Sequence, residues 1–221
     1  MRAIGILSLL ALAACCSAQT VTIPGNPLTI PAINAGGVST TLSGSLTAAS
    51  TISLSVSGTG CLQGGGAYCT NAAGIVVVAG SSAIGAATSF SGTIGVTATT
   101  WTYGVLTMTI NGIATVPLFQ ANAANGLGSG SPPTTLTLNN VSLAALGFPS
   151  NLNVTNPTVT FVIADSNYPD NSNSMTASGS FTTAATAVSA PALSDAGLAT
   201  LALLLLAAAV VLLRRRDADA R

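Results

Sequence analysis

The chain has 221 residues and a net charge of zero, with 5 basic residues, 5 acidic residues and no His. Every basic residue is Arg and every acidic residue is Asp, so Lys and Glu are absent as well. These absences exclude a Ser-His-Asp triad, a Cys-His dyad and a Ser-Lys pair. They also leave no basic patch between the chain ends to bind a nucleic-acid backbone. We therefore expect no enzymatic activity, no cofactor and no nucleic-acid partner.

The N-terminus has the pattern of a secretory signal peptide, which we place at residues 1–18. Arg2 supplies a positive start, residues 3–14 form an apolar segment, and small residues follow. The small residues at 16–18 allow signal peptidase to cut before Gln19. The chain is therefore predicted to enter the secretion machinery.

A second type of N-terminal processing depends on Cys15. Residues 12–15 read Leu-Ala-Ala-Cys, which matches a lipobox. In that case Cys15 carries a lipid and becomes the mature N-terminus. The sequence leaves both types of processing open.

The central part of the chain has the composition of strands and turns. Asp165 and Asp170 are its only charged residues between positions 19 and 190. Exposed helices normally carry Lys, Glu and Arg, whereas Thr, Ser, Val, Ile, Gly and Asn dominate here. The composition favours an all-β domain.

Alternation of apolar and polar residues predicts the individual strands, because successive strand residues face opposite sides of a sheet. Residues 103–108 and 75–78 are further strand candidates, and Asn111-Gly112 predicts a tight hairpin turn. The clearest alternating apolar positions are Ile52, Leu54 and Val56; Leu136, Leu138 and Val141; and Val159, Phe161 and Ile163.

These short strands, with no helices between them, predict an antiparallel, Ig-like β-sandwich over residues 20–183. A β-helix and a disordered chain are the alternatives, but no fixed repeat supports the first and the alternation opposes the second. Trp101, Phe119, Phe148 and Phe161 are the predicted large core residues.

Two cysteines lie inside the predicted domain. Cys61 and Cys69 are separated by seven residues that include three consecutive glycines. In an exported chain such a pair predicts a disulfide. Two thiols without His make a poor metal site.

One polar loop follows the strand at 158–163. Asp165, Asn167 and Asp170, with Asn171 and Asn173, offer hard oxygen atoms of the kind that Ca²⁺ prefers. The spacing does not match an EF-hand, and Asx-turn chemistry accounts for the same residues without a metal. We therefore predict no metal and keep calcium at Asp165, Asn167 and Asp170 as the alternative.

Two further patterns bear on carbohydrate binding. Trp101 and Tyr103 lie two residues apart and would share one strand face, as in a small sugar platform, or would pack in the core. Repeated Thr-x-Thr steps, such as Thr135 to Thr137, could form an array for ice or a polysaccharide, or simply solvate a strand face.

The C-terminal part begins with a linker at 184–190 and ends in an apolar segment with a basic stop. Residues 196–213 carry no charge, and 18 residues of helix span about 27 Å, close to the bilayer hydrocarbon thickness. Arg214, Arg215 and Arg216 follow at once and are expected to stay at the cytoplasmic surface. A buried core helix is the alternative, although the segment has no polar face.

A short motif directly precedes and enters the apolar segment, with Pro191, Leu193, Ser194, Asp195 and Gly197. With this motif, the segment 191–221 resembles the IPTL-type C-terminal sorting domain, a relative of the PEP-type signals that exosortases process. Alanine replaces the family residue at positions 190, 192 and 196. The resemblance implies a membrane-anchored precursor cut near the motif by an exosortase-type enzyme, and a permanent anchor is the simpler alternative.

The two chain ends and the charge-poor centre together predict a non-enzymatic exported protein of the cell surface or extracellular matrix. The expected partners are the secretion machinery, signal peptidase, an exosortase-type enzyme and the inner membrane. A carbohydrate- or calcium-binding surface module is the alternative function.

Overall fold

The computed structural model describes residues 18–62, 69–77, 89–128 and 131–183. These residues belong to one compact unit, Ala18–Ala185. The signal peptide except for Ala18, the linker, the sorting motif, the segment 196–213 and the Arg cluster all lie outside the described residues, as does Cys15.

The described part is mostly antiparallel β-structure, as the composition and alternation predict. One α-helical turn, α1, spans Leu143–Leu146, and short 3₁₀ turns span Ala123–Asn125 and Tyr168–Asp170. The strands are β1 Thr20–Thr22, β2 Leu28–Pro31, β3 Val38–Thr41, β4 Ser45–Thr47, β5 Thr51–Gly58, β6 Gly60–Cys61, β7 Cys69–Thr70, β8 Ser89–Ile94, β9 Thr97–Thr102, β10 Leu106–Ile110, β11 Ala114–Pro117, β12 Thr135–Ser142, β13 Asn153–Thr155, β14 Thr158–Ile163 and β15 Ser174–Thr182.

Two larger sheets organise the unit, and all their strand pairs are antiparallel. The first sheet has the order β1-β15-β5-β12, with β2 pairing a different part of β15. The second has the order β11-β10-β14-β3. The pairs β13-β4, β6-β7 and β8-β9 complete the described strands.

Both sheets contribute to one hydrophobic core. On β5, Ile52, Leu54 and Val56 are buried and alternate with serines, as predicted from the period of two. Phe161 on β14 and Phe181 on β15 are fully buried in the same cluster. The four predicted core aromatics are all buried. The coarser prediction of an antiparallel all-β fold is thus confirmed, while the Ig-like sandwich stays a prediction.

A second, smaller hydrophobic cluster lies on the opposite side of the second sheet. Ile94 and Trp101 of the β8-β9 hairpin pack there against Val105, Val162 and Ala164. Because this hairpin covers the outer side, all five residues of β10 are buried. The outer side of β10 carries Thr107 and Thr109, which are buried under the hairpin; the Thr107 hydroxyl donates to Val162 C=O, and the Thr109 hydroxyl pairs with that of Thr115.

Two strand predictions need correction. Tyr103 and Gly104 form a turn, and the extended strand begins only at Leu106. Gly104 has a φ of 73°, a left-handed conformation that glycine tolerates best. In the described part of the run at 75–78, Val76 makes one isolated bridge to Thr70 instead of a strand.

The predicted turn at Asn111-Gly112 is present. Asn111 and Gly112 both have positive φ, 47° and 66°, and Ile113 N–H donates to Ile110 C=O. The Asn139-Asn140 step interrupts β12 as a bulge between Leu138 and Val141. The bulge returns Val141 to register opposite Ile52.

Within the described ranges no helix is both long and apolar enough to cross a bilayer. The segment predicted to do so, 196–213, lies outside those ranges.

Candidate functional site

The predicted disulfide is formed in the structure. Cys61 Sγ and Cys69 Sγ are 1.97 Å apart, and the two residues lie directly opposite each other on β6 and β7. The N–H and C=O groups of Cys61 both pair with Ser172 on its other side. The two cysteines are therefore a non-hydrogen-bonded pair, the type that brings cross-strand side chains closest together.

The disulfide lies against the polar loop at 165–173, which connects β14 to β15 and is called the aspartate loop below. Ser172 forms a two-bond bridge to Cys61, and Asn173 Nδ2 donates to Cys61 Sγ at 3.0 Å. A 3₁₀ turn over Tyr168–Asp170 folds the middle of the loop back. Backbone and side-chain bonds thus fix both the middle and the end of the aspartate loop.

Asp165 is the most deeply buried charged residue of this loop, with 5% of its surface exposed. Its Oδ1 atom accepts a hydrogen bond from Ser166 N–H at 2.6 Å, whereas Oδ2 is buried and has no partner in the described structure. The Tyr168 hydroxyl accepts from Asp165 N–H at 3.3 Å. Burial raises the pKa of the Tyr168 phenol, this hydrogen bond lowers it, and the Asp165 carboxylate raises it further.

Asn171 is buried to the same extent, with 6% of its surface exposed. Its Nδ2 group donates to Ala32 C=O at 3.0 Å, which fixes the orientation of the amide because a carbonyl oxygen cannot donate. Asn171 Oδ1 then points away from Ala32, and it is buried without a hydrogen-bond partner in the described structure. Asp170 Oδ1 is also buried without a hydrogen-bond partner in the described structure.

The candidate calcium ligands therefore differ from Asp165, Asn167 and Asp170 at one position, Asn167. Asn167 is exposed, and its side chain makes no capping hydrogen bond to the 3₁₀ turn. Asn171, four residues further along and just after the 3₁₀ turn, supplies the buried oxygen instead. The described residues hold no group of three His, Cys, Asp or Glu side chains suited to a metal, so a third side-chain ligand here has to be an amide or a hydroxyl.

Of the two alternatives for Trp101 and Tyr103, the structure favours packing over an exposed sugar platform. Trp101 has only 3% of its surface exposed, and its Nε1 group donates to Gly92 C=O at 3.1 Å within the hairpin. Tyr103 packs at a tilt on Phe90, with ring centroids 4.6 Å apart, and its hydroxyl pairs with Ser166. The indole has become a core side chain, because the hairpin closes over the second sheet.

A groove of about 460 Å³ opens between β9 and β11. Thr99, Thr100, Phe119 and Gln120 are among its lining residues. The residues that line this groove include no titratable side chain. The groove therefore offers contact surface but no acid or base for catalysis.

The outer side of the first sheet carries a continuous array of Ser and Thr residues, called the hydroxyl face below. Each row of the array crosses neighbouring strands in register, because directly paired residues share one face. None of its members is charged or aromatic. The rows are Thr20, Thr182, Thr51 and Ser142; Thr22, Ser180 and Ser53; Ser178, Ser55 and Thr137; and Thr29, Thr176, Ser57 and Thr135.

The Thr-x-Thr step at Thr135 and Thr137 lies on the hydroxyl face, whereas the step at Thr107 and Thr109 is buried on β10 of the second sheet. Serines on β5 and β15 fill the positions between the threonine-bearing strands. Ser57 and Thr176 hydroxyls are 2.8 Å apart and hydrogen-bonded, so part of the hydroxyl face is already paired within itself.

Comparison with protein-family models, with curated proteins and with solved structures finds no match to this chain. Inferences about its function therefore depend on the chemistry of its own side chains. Hydroxyl groups can hydrogen-bond to a ligand, and the buried oxygens of the aspartate loop can bind a cation.

Proposed function

We propose that this chain is a non-enzymatic exported protein of the cell surface or extracellular matrix, sorted through its C-terminal segment. The observation that carries the proposal is the Cys61–Cys69 disulfide within the folded unit. Disulfides persist in oxidising compartments outside the cytoplasm, so this crosslink supports export independently of the sequence patterns at the two ends. The finer description of the unit as an Ig-like sandwich is part of this proposal.

The route of export follows from the chain ends. Signal peptidase removes residues 1–18 after the secretion machinery has moved the chain across the inner membrane. The segment 196–213 then anchors the precursor, with Arg214 to Arg216 on the cytoplasmic side. An exosortase-type enzyme cuts near the IPTL-like motif at Pro191 and passes the β-unit to the cell surface or the medium.

The absence of catalytic activity is supported by the residue inventory of the whole chain. With no His, Lys or Glu, Asp165 and Asp170 are the only carboxyl groups between the two sorting segments. Both lie in the aspartate loop, five positions apart, whereas glycoside hydrolysis needs carboxyl groups on opposite sides of a bound sugar. A structural or binding role fits this inventory.

Cell fractionation with two tags tests the proposed route. One tag is inserted after Gln19 and another after Arg221, and each tagged chain is followed in membrane and extracellular fractions. We expect the first tag to reach the surface or medium, while the second stays with a short membrane-bound fragment.

A matched control replaces the apolar segment's basic stop, Arg214 to Arg216, with serine, which should impair retention and processing without altering the β-unit. If both tags remain together on one uncut, cytoplasmic chain, the proposed export is wrong. If both tags reach the membrane uncut, the chain is exported but keeps a permanent anchor, which contradicts the exosortase step.

The hydroxyl face supports a second candidate function, the binding of a neutral polysaccharide. Its rows repeat across strands spaced about 4.8 Å apart, and every second residue along each strand faces outward. Hydroxyl groups donate and accept hydrogen bonds, as the hydroxyls of a sugar chain do. An uncharged ligand fits best, because the face provides no charge to pair with an ionic one.

Co-sedimentation of the purified chain with microcrystalline cellulose tests this candidate. We expect wild type to pellet with the fibre, and Ser55→Glu at the centre of the face to weaken binding about tenfold. Thr93→Glu, at an exposed position on β8 away from the groove and the hydroxyl face, is the matched control and should bind like wild type. The candidate fails if wild type stays in the supernatant, or if both variants lose binding equally.

A further inference from the structure

We propose that the aspartate loop binds a calcium ion through Asp165 Oδ2, Asp170 Oδ1 and Asn171 Oδ1. This site goes beyond the proposed surface function and does not depend on where the protein resides. The sequence alone predicts no metal, and its alternative calcium site has Asn167 as the amide ligand, whereas the site proposed here has Asn171.

The first reason is the burial of three unpaired oxygen atoms in one loop. Asp165 Oδ2, Asp170 Oδ1 and Asn171 Oδ1 are the buried side-chain atoms without a hydrogen-bond partner in the described part of the chain. Buried polar groups are normally paired, since an unpaired one loses its hydration without compensation. Their concentration within seven consecutive residues indicates a shared missing partner.

The second reason is charge. Asp165 is almost completely buried, and a carboxylate that has lost its hydration is stabilised by a compensating positive charge. Every Arg of the chain lies at positions 2, 214–216 or 221, so the described residues contain no basic side chain. No ion pair within the described unit can therefore neutralise Asp165 and Asp170. A divalent cation balances the charge of both carboxylates.

The third reason is ligand chemistry. Carboxylate and amide oxygens are hard ligands that suit Ca²⁺, whereas Zn²⁺ prefers thiolate and imidazole. Ca²⁺ accepts six to eight oxygens in flexible geometry, so backbone carbonyls and water can complete a shell that begins with three side chains. Mg²⁺ requires near-octahedral geometry at shorter distances and should bind more weakly in such a loop.

The fourth reason is preorganisation of the loop. The amide of Asn171 is held by Ala32, and Asp165 is held through Oδ1 by Ser166 N–H. Ser172 and Asn173 are tied to Cys61, which the disulfide links to β7. Ligands already fixed in this way lose little conformational freedom on binding, so affinity is higher than for a flexible acidic segment.

Thermal unfolding of the purified whole chain provides the first test. We expect CaCl₂ at about 100 times its Kd to raise Tm by on the order of 5–10 °C relative to EDTA, because the ion binds the folded state. MgCl₂ at the same concentration should raise Tm less. A Tm that is equal in CaCl₂ and EDTA overturns the proposal and leaves water as the partner of the three oxygens.

Matched variants assign the ligands. The calcium-induced rise in Tm should disappear in Asn171→Ala and in Asp170→Asn, and it should persist in Asn167→Ala, an exposed position of the same loop. The difference between CaCl₂ and EDTA is compared within each variant, so a general loss of stability does not affect the outcome. An unchanged rise in Asn171→Ala, or loss in Asn167→Ala, contradicts the assigned ligand set.

Terbium luminescence gives a second measurement that does not require an unfolding transition. Tb³⁺ replaces Ca²⁺ at oxygen sites, and Tyr168 within the loop can sensitise its emission. We expect saturable emission from TbCl₃ with wild type, displaced by CaCl₂ and absent with Asp170→Asn. Emission that CaCl₂ does not displace, or that Asp170→Asn retains, overturns the site.

Discussion

Replacement of Phe161 by alanine is expected to destabilise the folded unit by about 4 kcal/mol, within the range of about 3–5 kcal/mol for buried Phe-to-Ala changes. Phe161 is fully buried on β14, between Met108 of β10 and Val38 of β3 in the strand register. The central position of β14 in the second sheet prevents the surrounding backbone from collapsing into the cavity. The whole stability of a domain is about 5–15 kcal/mol, so much of it should be lost.

Urea unfolding monitored by circular dichroism measures this effect as a lower transition midpoint with an unchanged slope. Phe90→Ala is the control, because Phe90 is only partly buried, stacks at a tilt on Tyr103 and packs against the smaller hydrophobic cluster instead of the main core. Its cost should stay below about 1.5 kcal/mol, the range of an aromatic pair. Equal costs for the two variants would show that Phe161 does not occupy the main core.

Gly179→Ala is expected to destabilise the protein by about 3 kcal/mol, the upper part of the range for overpacked positions. A Cβ atom at Gly179 would meet the Ser53 carbonyl oxygen at 2.2 Å and Leu54 Cα at 2.9 Å. Both obstacles are backbone atoms of β5, in the middle of the first sheet, so they cannot move aside as a flexible side chain would. The pairing of β15 with β5 must therefore open locally.

Gly36→Ala is the matched control for this prediction. Gly36 does not have a positive φ, and its added Cβ would have its nearest neighbour, Asn34 Oδ1, at an ordinary distance of 3.5 Å. We expect a change of less than about 0.5 kcal/mol in the free energy of unfolding. A small effect at both glycines would refute the close approach of β15 to β5.

Much of the strand structure follows from local sequence pattern. Ile52, Leu54 and Val56 alternate with serines and lie on the core side, because one buried face imposes a period of two. The turn at Asn111-Gly112 is equally local, since these residues accept positive φ at low cost. Predictions of this kind need no knowledge of distant partners.

The β8-β9 hairpin could not be predicted in this way. Most of its residues are exposed or partly buried, as in any hairpin at a protein surface. The second apolar cluster becomes visible only through the packing of the hairpin on Val162. The same contact explains how Trp101 is buried, as predicted, although its sequence neighbours do not reveal which residues it packs against. Contacts between segments that are distant in the sequence determine these features. A short stretch of sequence carries no information about such contacts.

The candidate cation site likewise combines a feature that the local sequence predicts with one that depends on a distant contact. The sequence identifies a loop rich in Asp and Asn, because those residues stand together in the chain. It does not distinguish Asn167 from Asn171, since burial of Asn171 depends on a hydrogen bond to Ala32, which lies 139 residues away. The hydroxyl face was hidden for a similar reason, because its rows join five separate strands.

The hydroxyl face also has a consequence for the conditions in which the protein can operate. Ser and Thr do not titrate in water between acid and alkaline extremes, and they attract no counter-ion atmosphere. A contact made through Ser55 and its neighbours is therefore insensitive to acidity and salinity. Such a surface keeps the same character in rainwater, in soil and in brine, where a charged surface would be screened or neutralised.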